Sequence, residues 1–192
     1  PRIRFSYDGS SKNVDTTLGT DVAPTSSQWH HLAFVRSGAT LTAYLDGVAG
    51  STTINLGTSS LASPTSSVYI GQRGSQRYFN GYIDDVRILK GYAKYTADFV
   101  PPTSAVGTSV NETVNDLTVL YLPFDSTETS SSVASDLYLP FDSDLNDDSS
   151  NASTGTASGG AAISSAQSKF GGYSLALDGT NDYVTYDNLA LD

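Results

Sequence analysis

The sequence predicts an all-β protein built as an antiparallel sandwich, and three observations carry that prediction. Apolar residues arrive in short runs bounded by Gly, Ser, Thr, Asn and Asp, which is the length and punctuation of strands rather than helices. Thr, Ser, Gly and Tyr abound while strong helix formers are scarce: Met is absent and Glu stands only at Glu112 and Glu128. Tight-turn pairs such as Asp46-Gly47 and Asp178-Gly179 sit between the runs, where hairpin chemistry wants them.

The first strong element is Trp29 to Arg36. Trp29, His31, Ala33 and Val35 fall on one face and His30, Leu32, Phe34 and Arg36 on the other; apolar groups on both faces place the strand inside a packed sandwich. Ser37-Gly38-Ala39 turns the chain, and Leu41, Ala43 and Leu45 line one side of the returning strand, so the two form a hairpin. Asp46-Gly47 has the preference for positive φ that a type I′ turn demands, and a third strand from Val48 to Leu56 continues the meander. The Ser/Thr-rich stretch from Gly57 to Ser67, with Pro64, is a loop before the short strand Val68-Tyr69-Ile70. Gly71 to Arg77 is a second loop, whose Gln72, Arg73, Gln76 and Arg77 reach into solvent. In Tyr82 to Leu89 the core residues are Ile83, Val86 and Ile88; the step from Ile83 to Val86 breaks alternation, and a β-bulge at Asp84-Asp85 would restore it. Lys90 to Phe99 reads as an exit segment or single helical turn, ended by Pro101-Pro102.

From Thr103 to about Asp136 the chain is loop-like, broken by Leu117 to Phe124. Here Leu120-Tyr121-Leu122-Pro123-Phe124-Asp125-Ser126 appears, and it recurs as Leu137-Tyr138-Leu139-Pro140-Phe141-Asp142-Ser143. Copies this close cannot each be a domain, so one is a linker strand that mimics the first strand of a unit. Asp144 to Gly160 is polar, and Ser174 to Leu177 and Tyr183 to Tyr186 are successive short antiparallel strands about a turn at Asp178-Gly179-Thr180-Asn181-Asp182.

No run approaches the roughly 20 apolar residues of a membrane helix, and nothing at the start has a signal-peptide pattern, so the chain reads as soluble, without membrane insertion. The lack of Cys excludes a disulfide framework and a thiolate metal site. Residues 1–107 hold nine Lys/Arg against seven Asp/Glu, a net of +2, whereas 108–192 hold one, Lys169, against thirteen, a net of −12; together these give the −10 of the whole chain. So acidic a second half repels nucleic acid and anionic membranes and excludes both as partners. Solvated acidic loops are its ordinary explanation.

Trp29-His30-His31-Leu32-Ala33-Phe34-Val35-Arg36 and Asn80-Gly81-Tyr82-Ile83-Asp84-Asp85-Val86-Arg87-Ile88 resemble elements of the laminin-G-like, concanavalin A-like jelly-roll family. Modules of that family open with strands similar to Leu137 to Phe141, Lys169 to Leu175 and Leu177 to Val184. They continue with elements similar to Trp29 to Arg36, Leu41 to Gly47 and Tyr69-Ile70-Gly71, and close with the Asn80 to Ile88 element. In this chain the closing elements precede the opening ones, and the central strands expected between them are missing. Residues 1–107 therefore resemble the C-terminal part of one jelly roll, 108–136 a Ser/Thr-rich acidic linker, and 137–192 the N-terminal part of a second. Lys90 to Thr103 is similar to a closing tag of such modules in bacteriophage structural proteins.

The resemblance brings glycan hydrolases into consideration, which need two carboxylates facing one cleft about 5–10 Å apart. Residues 1–107 contain no Glu, and Asp84 and Asp85 as neighbours point to opposite faces unless a bulge reorients one, so the chain reads as non-enzymatic. His30 and His31 likewise diverge, as packed or hydrogen-bonded histidines beside a buried Trp29. Calcium is the cation that turn oxygens would suit, with Asp178, Asn181 and Asp182 in one turn and Asp142, Asp144, Asp147 and Asp148 in another, although ordinary Asx turns account for such clusters. A surface glycan would take exposed rings and planar polar groups, for which Gln72, Arg73, Arg77 and Tyr78 are the candidates, against the plain alternative of a solvated loop. Asn111-Glu112-Thr113 and Asn151-Ala152-Ser153 are acceptor sequons, meaningful in a glycosylating host.

These readings point to a structural or adhesive repeat protein of a virion fibre, tail or decoration layer, or of another extracellular setting. Its partners are other copies of itself, other virion or surface proteins, or surface glycans. Three arrangements of the inverted halves stay open: head-to-tail complementation between copies, closure within one chain as a permuted sandwich, and a segment of a longer repeat protein. A glycan-binding adhesin recognising host polysaccharide is the alternative function.

Overall fold

The computed structural model describes residues 24–25, 27–58, 67–74, 77–91, 93–105 and 137–187. Among them are thirteen strands, every pairing antiparallel, and no helix. They group into two compact units, one from the described parts of 24–58 and 91–104, the other from those of 67–90 and 137–187.

The first unit is the expected meander of β1 (Leu32–Ser37), β2 (Thr40–Leu45) and β3 (Val48–Asn55), in that spatial order. Asp46 and Gly47, at φ 51° and 83°, make the type I′ turn that Asp-Gly predicts. The register sets Phe34 opposite Ala43 and Leu41 opposite Ile54, so Leu41, Ala43, Ile54 and Leu56 cluster on one face with Phe34 and Leu45 against them. Tyr44 points the other way, towards residues 93–99, where Tyr95 and Phe99 stack with ring centroids 3.5 Å apart and Tyr44 and His31 approach both at an angle. Such pairs add about 0.5–1.5 kcal/mol each beyond area burial. Asp98 Oδ1 accepts the Ala49 N–H, and the Phe99 N–H donates to Gly47 O, each at 2.9 Å. The exit segment is therefore a strap across β2 and β3 and contains no helical turn among its described residues: one turn of helix is a poor nucleus, and ring packing outweighs it.

The second unit holds β4 (Val68–Ile70), β5 (Gln72–Arg73), β6 (Arg77–Tyr78), β7 (Asn80–Ile83), β8 (Val86–Ile88), β9 (Leu137–Leu139), β10 (Thr156–Ser158), β11 (Ala162–Ser164), β12 (Ser174–Asp178) and β13 (Tyr183–Tyr186). Two ladders, β10-β13-β4 and β11-β12-β7, run one after the other through the same three stretches of chain. All three stretches bend between the ladders, at 159–161, at 179–182 and at 71–79. A third ladder pairs β8 with β9, Val86 opposite Leu139 and Ile88 opposite Leu137. Leu137, Leu139, Phe141, Leu175, Leu177, Val184 and Tyr186 are buried, each worth about 1.5–3 kcal/mol. Ile70 and Ile83, half-buried, stand opposite Val184 and Leu175.

Four expectations are corrected here. Asp84-Asp85 is not a bulge within one strand: β7 joins β12 while β8 joins β9, and Asp85, at φ 54°, turns the chain from one ladder to the next. A broken alternation is relieved as well by leaving a sheet as by bulging within it. Second, Gly71 to Arg77 is not a loop, because β5 and β6 pair as a hairpin. Third, the strands either side of 178–182 are consecutive but unpaired, since the turn carries the chain round the corner. Finally, the polar stretch before Gly160 contains β10 and is followed by β11; Thr, Ala and Ser make edge strands whose apolar alternation is too faint to read. The first heptapeptide copy, Asn111 and Gln76 lie outside the described residues.

Candidate functional site

The β5–β6 hairpin gathers all four residues singled out for glycan contact. Gly71 and Gly74, at φ 94° and 59°, let the chain enter and turn, and the Phe79 N–H donates to Gly71 O at 2.8 Å to close the hairpin. Gln72 stands opposite Tyr78 and Arg73 opposite Arg77. Directly opposed residues share a face, so the two arginines project together and are exposed, while Gln72 and Tyr78 lie half-buried on the other face. Two like charges side by side repel, which a bound anion would relieve. Phe79 and Tyr69, each 48% exposed, stand beside the hairpin in sequence, and Tyr69 pairs with Tyr183 at 5.9 Å between centroids. Neither ring is among the sequence candidates, although Phe79 directly follows β6 and Tyr69 lies in β4 just before the hairpin.

The aspartates singled out for calcium accept backbone amides. Asp182 is 2% exposed, and its carboxylate accepts the Gly160 N–H and, at 2.8 Å, the Asp178 N–H, tying two of the bending stretches together. Asp178 Oδ1 accepts the Thr180 N–H at 2.7 Å in an Asx turn. Asp178 Oδ1 and both carboxylate oxygens of Asp182 thus each accept a backbone amide. Among the described residues no group of three or more His, Asp or Glu could hold a metal ion.

Asp147, 3% exposed, repeats the device by accepting the Tyr138 and Ser149 N–H groups at 3.0 and 2.9 Å, which binds its loop to β9. Asp84 Oδ2 accepts the Lys169 and Phe170 N–H groups at 2.7 and 3.0 Å. Burial, then the charges of Asp84 and Asp148, push the Asp142 carboxyl above its usual range. The Tyr138 phenol is pushed up by burial and by Asp85, Asp142 and Asp148.

In the first unit the two histidines diverge as expected, beside a Trp29 that is half-buried rather than buried. His30 Nδ1 lies 2.7 Å from Asp46 Oδ2 and Nε2 3.0 Å from Thr25 Oγ1. An ionised carboxylate only accepts, so Nδ1 donates and, in the neutral ring, Nε2 accepts from the hydroxyl. Asp46 also accepts the His31 N–H at 2.9 Å and returns its own N–H to His31 O at 2.8 Å. Burial alone would raise the Asp46 carboxyl; the hydrogen bonds from His30 and His31, with the charges of both imidazoles, outweigh it and hold the carboxyl below its usual range. These bonds fasten the Asp46-Gly47 turn to the base of β1. The pairing joins residues remote in sequence, and only the turn signal at Asp46 hinted at it.

The strands β1 to β8 all lie within the first 93 residues, and that stretch matches a known family. Residues 1–93 match the laminin-G-like family of the concanavalin A-like lectin/glucanases superfamily. No curated protein and no solved structure matches the chain. The all-β, antiparallel architecture is that of a concanavalin A-like jelly-roll sandwich. Residues 137–187 lie beyond the matched stretch, yet they supply the strands that pair with β4, β7 and β8 inside it.

Proposed function

We propose that this chain is a non-enzymatic structural or adhesive module of a virion fibre, tail or decoration layer, acting outside the cell and assembling with copies of itself. The observation that carries the reading is the use made of its acidic residues. Asp84 and Asp182 each accept two backbone amides and Asp147 three, and so fasten corners and loops, an architectural task unlike the paired acid and base of a hydrolase. The test is the size of the purified chain across concentration, by light scattering and electron microscopy. Regular assemblies are expected, and a strictly monomeric 20.2 kDa species at high concentration would overturn the reading.

The β5–β6 hairpin favours a second reading, a glycan-binding adhesin. Two exposed arginines, Gln72 and Tyr78 on one hairpin, with the exposed rings of Phe79 and Tyr69 nearby in sequence, supply the planar polar and aromatic groups that sugar recognition uses. A glycan array probed with the full chain should return hits that Arg77→Ala and Tyr78→Ala weaken at least tenfold. Binding to no surface glycan removes this reading and leaves the structural one intact.

A further inference from the structure

We propose that the closure made here between residues 67–90 and 137–187 is also made between copies, the 137–187 segment of one chain supplying β9, β12 and β13 to the β4, β7 and β8 strands of another. This rests on the structural reading above and names the contact through which copies would join. Three ladders join the two segments: β13 with β4, β12 with β7, and β9 with β8. None requires both strands to belong to the same chain, so an exchanged pair keeps every contact, as in any domain swap. Neither segment is complete by itself. Without its counterpart, 137–187 uncovers the backbone and side chains of Leu175, Val184, Tyr186 and Leu139, and 67–90 exposes three strand edges.

Charge makes the pairing directional. Residues 67–90 carry Arg73, Arg77, Arg87 and Lys90 against Asp84 and Asp85. Residues 137–187 carry Lys169 against Asp142, Asp144, Asp147, Asp148, Asp178, Asp182 and Asp187. Unlike segments attract and like segments repel, which steers each segment to its complement and disfavours pairing with its own kind. Because every copy has one segment of each kind, the contact is heterologous and generates rings or open head-to-tail chains.

Closure within a chain and closure between chains differ only in linkage. The first is favoured by the effective concentration that a covalent link between the two segments imposes, on the order of millimolar for a short one. Exchange therefore gains ground where copies are crowded or refold together.

The chain contains no Cys, so a single introduced thiol reports without background. Asn80 and Asp178 are register partners of β7 and β12 and both are exposed. Opposed antiparallel residues have Cα atoms about 4.5–5.5 Å apart, within the span of a disulfide. Full-length Asn80→Cys and Asp178→Cys chains are mixed in mild denaturant, refolded at about millimolar concentration and oxidised. The mixed 80–178 disulfide is expected at least tenfold above an 80–144 disulfide formed with Asp144→Cys, and should fall on dilution. The double variant Asn80→Cys/Asp178→Cys, refolded dilute, should close within itself. An 80–178 yield equal to the 80–144 yield at every concentration overturns the proposal. Failure of the double variant to close overturns the register on which it stands. Assemblies seen by scattering without the 80–178 bond would end exchange as their basis while leaving the structural reading in place.

Discussion

Replacing Asp182 with Ala tests whether a buried carboxylate holds the bend of the second unit. The side chain is 2% exposed and accepts two backbone amides, from Gly160 and Asp178. Hydrogen bonds to a charged group are worth about 1.5–3 kcal/mol each, which sets an upper bound of about 6 kcal/mol. Gly160 and Asp178 are themselves exposed residues, so water recovers part of the loss, and about 3 kcal/mol is the expected cost. Against a domain stability of about 5–15 kcal/mol this is a large fraction. With a urea m-value of about 2 kcal/mol/M, the midpoint should fall by roughly 1.5 M. Asp182→Asn should lose a comparable amount, since its amide group turns a donor towards one of the two N–H groups. Urea titration followed by circular dichroism, with and without EDTA, is the assay, and EDTA should leave the wild-type midpoint in place. An Asp182→Ala midpoint within about 0.5 kcal/mol of wild type would refute the argument. A wild-type midpoint that falls in EDTA and recovers with calcium would transfer the role from the amides to a cation.

Three further outcomes are expected. Gly47→Ala should cost more than Gly38→Ala in thermal melts: both sites have positive φ, worth about 1 kcal/mol to glycine, but only at Gly47 would the new methyl overlap the Phe99 carbonyl and lift the aromatic strap. Equal costs would refute the strap. Asp142→Asn should stabilise the chain at pH 7. The folded-state carboxyl is raised, so the penalty for its charge is present above that pKa and vanishes as pH falls and the carboxyl protonates; the gain should shrink towards acid pH. Asp46→Asn should show the opposite profile: a lowered carboxyl stabilises above the unfolded-state pKa and stops doing so as pH falls through the folded-state value. The variant should be slightly weaker at neutral pH and equal to wild type in acid. Melting temperature against pH distinguishes the last two.

The meander was readable because its signals are local. Alternation in Trp29 to Arg36, glycine at position 38 and the Asp46-Gly47 pair each determine structure within a few residues, and the observed strands follow them, with β1 beginning at Leu32 rather than Trp29. The hairpin residues Gln72, Arg73, Arg77 and Tyr78 stand out for their chemistry but read as a loop, since two-residue strands leave no periodic pattern. Asp84-Asp85 shows the deeper limit. Its broken alternation is visible, but whether a chain bulges or changes sheets depends on the distant partner strands β9 and β12, which no local pattern encodes. The same holds for Asp147 and Asp182, whose role is set by the amides of Tyr138 and Gly160 rather than by the turns in which they sit.

The turn at Asp85 has a consequence for how the molecule is made. A ribosome delivers Asn80 to Ile88 long before the strands that flank it, Leu137 to Leu139 and Ser174 to Asp178, have been synthesised. At about 5–20 residues per second the interval is on the order of ten seconds, far longer than hairpins need to form. The first unit's meander can fold at once, whereas the second unit has high contact order and must wait until Tyr186 has been made. During that wait its early strands present open edges to every neighbouring nascent copy. Translation speed and polysome density, rather than sequence alone, would then set which copy's late strands reach them first.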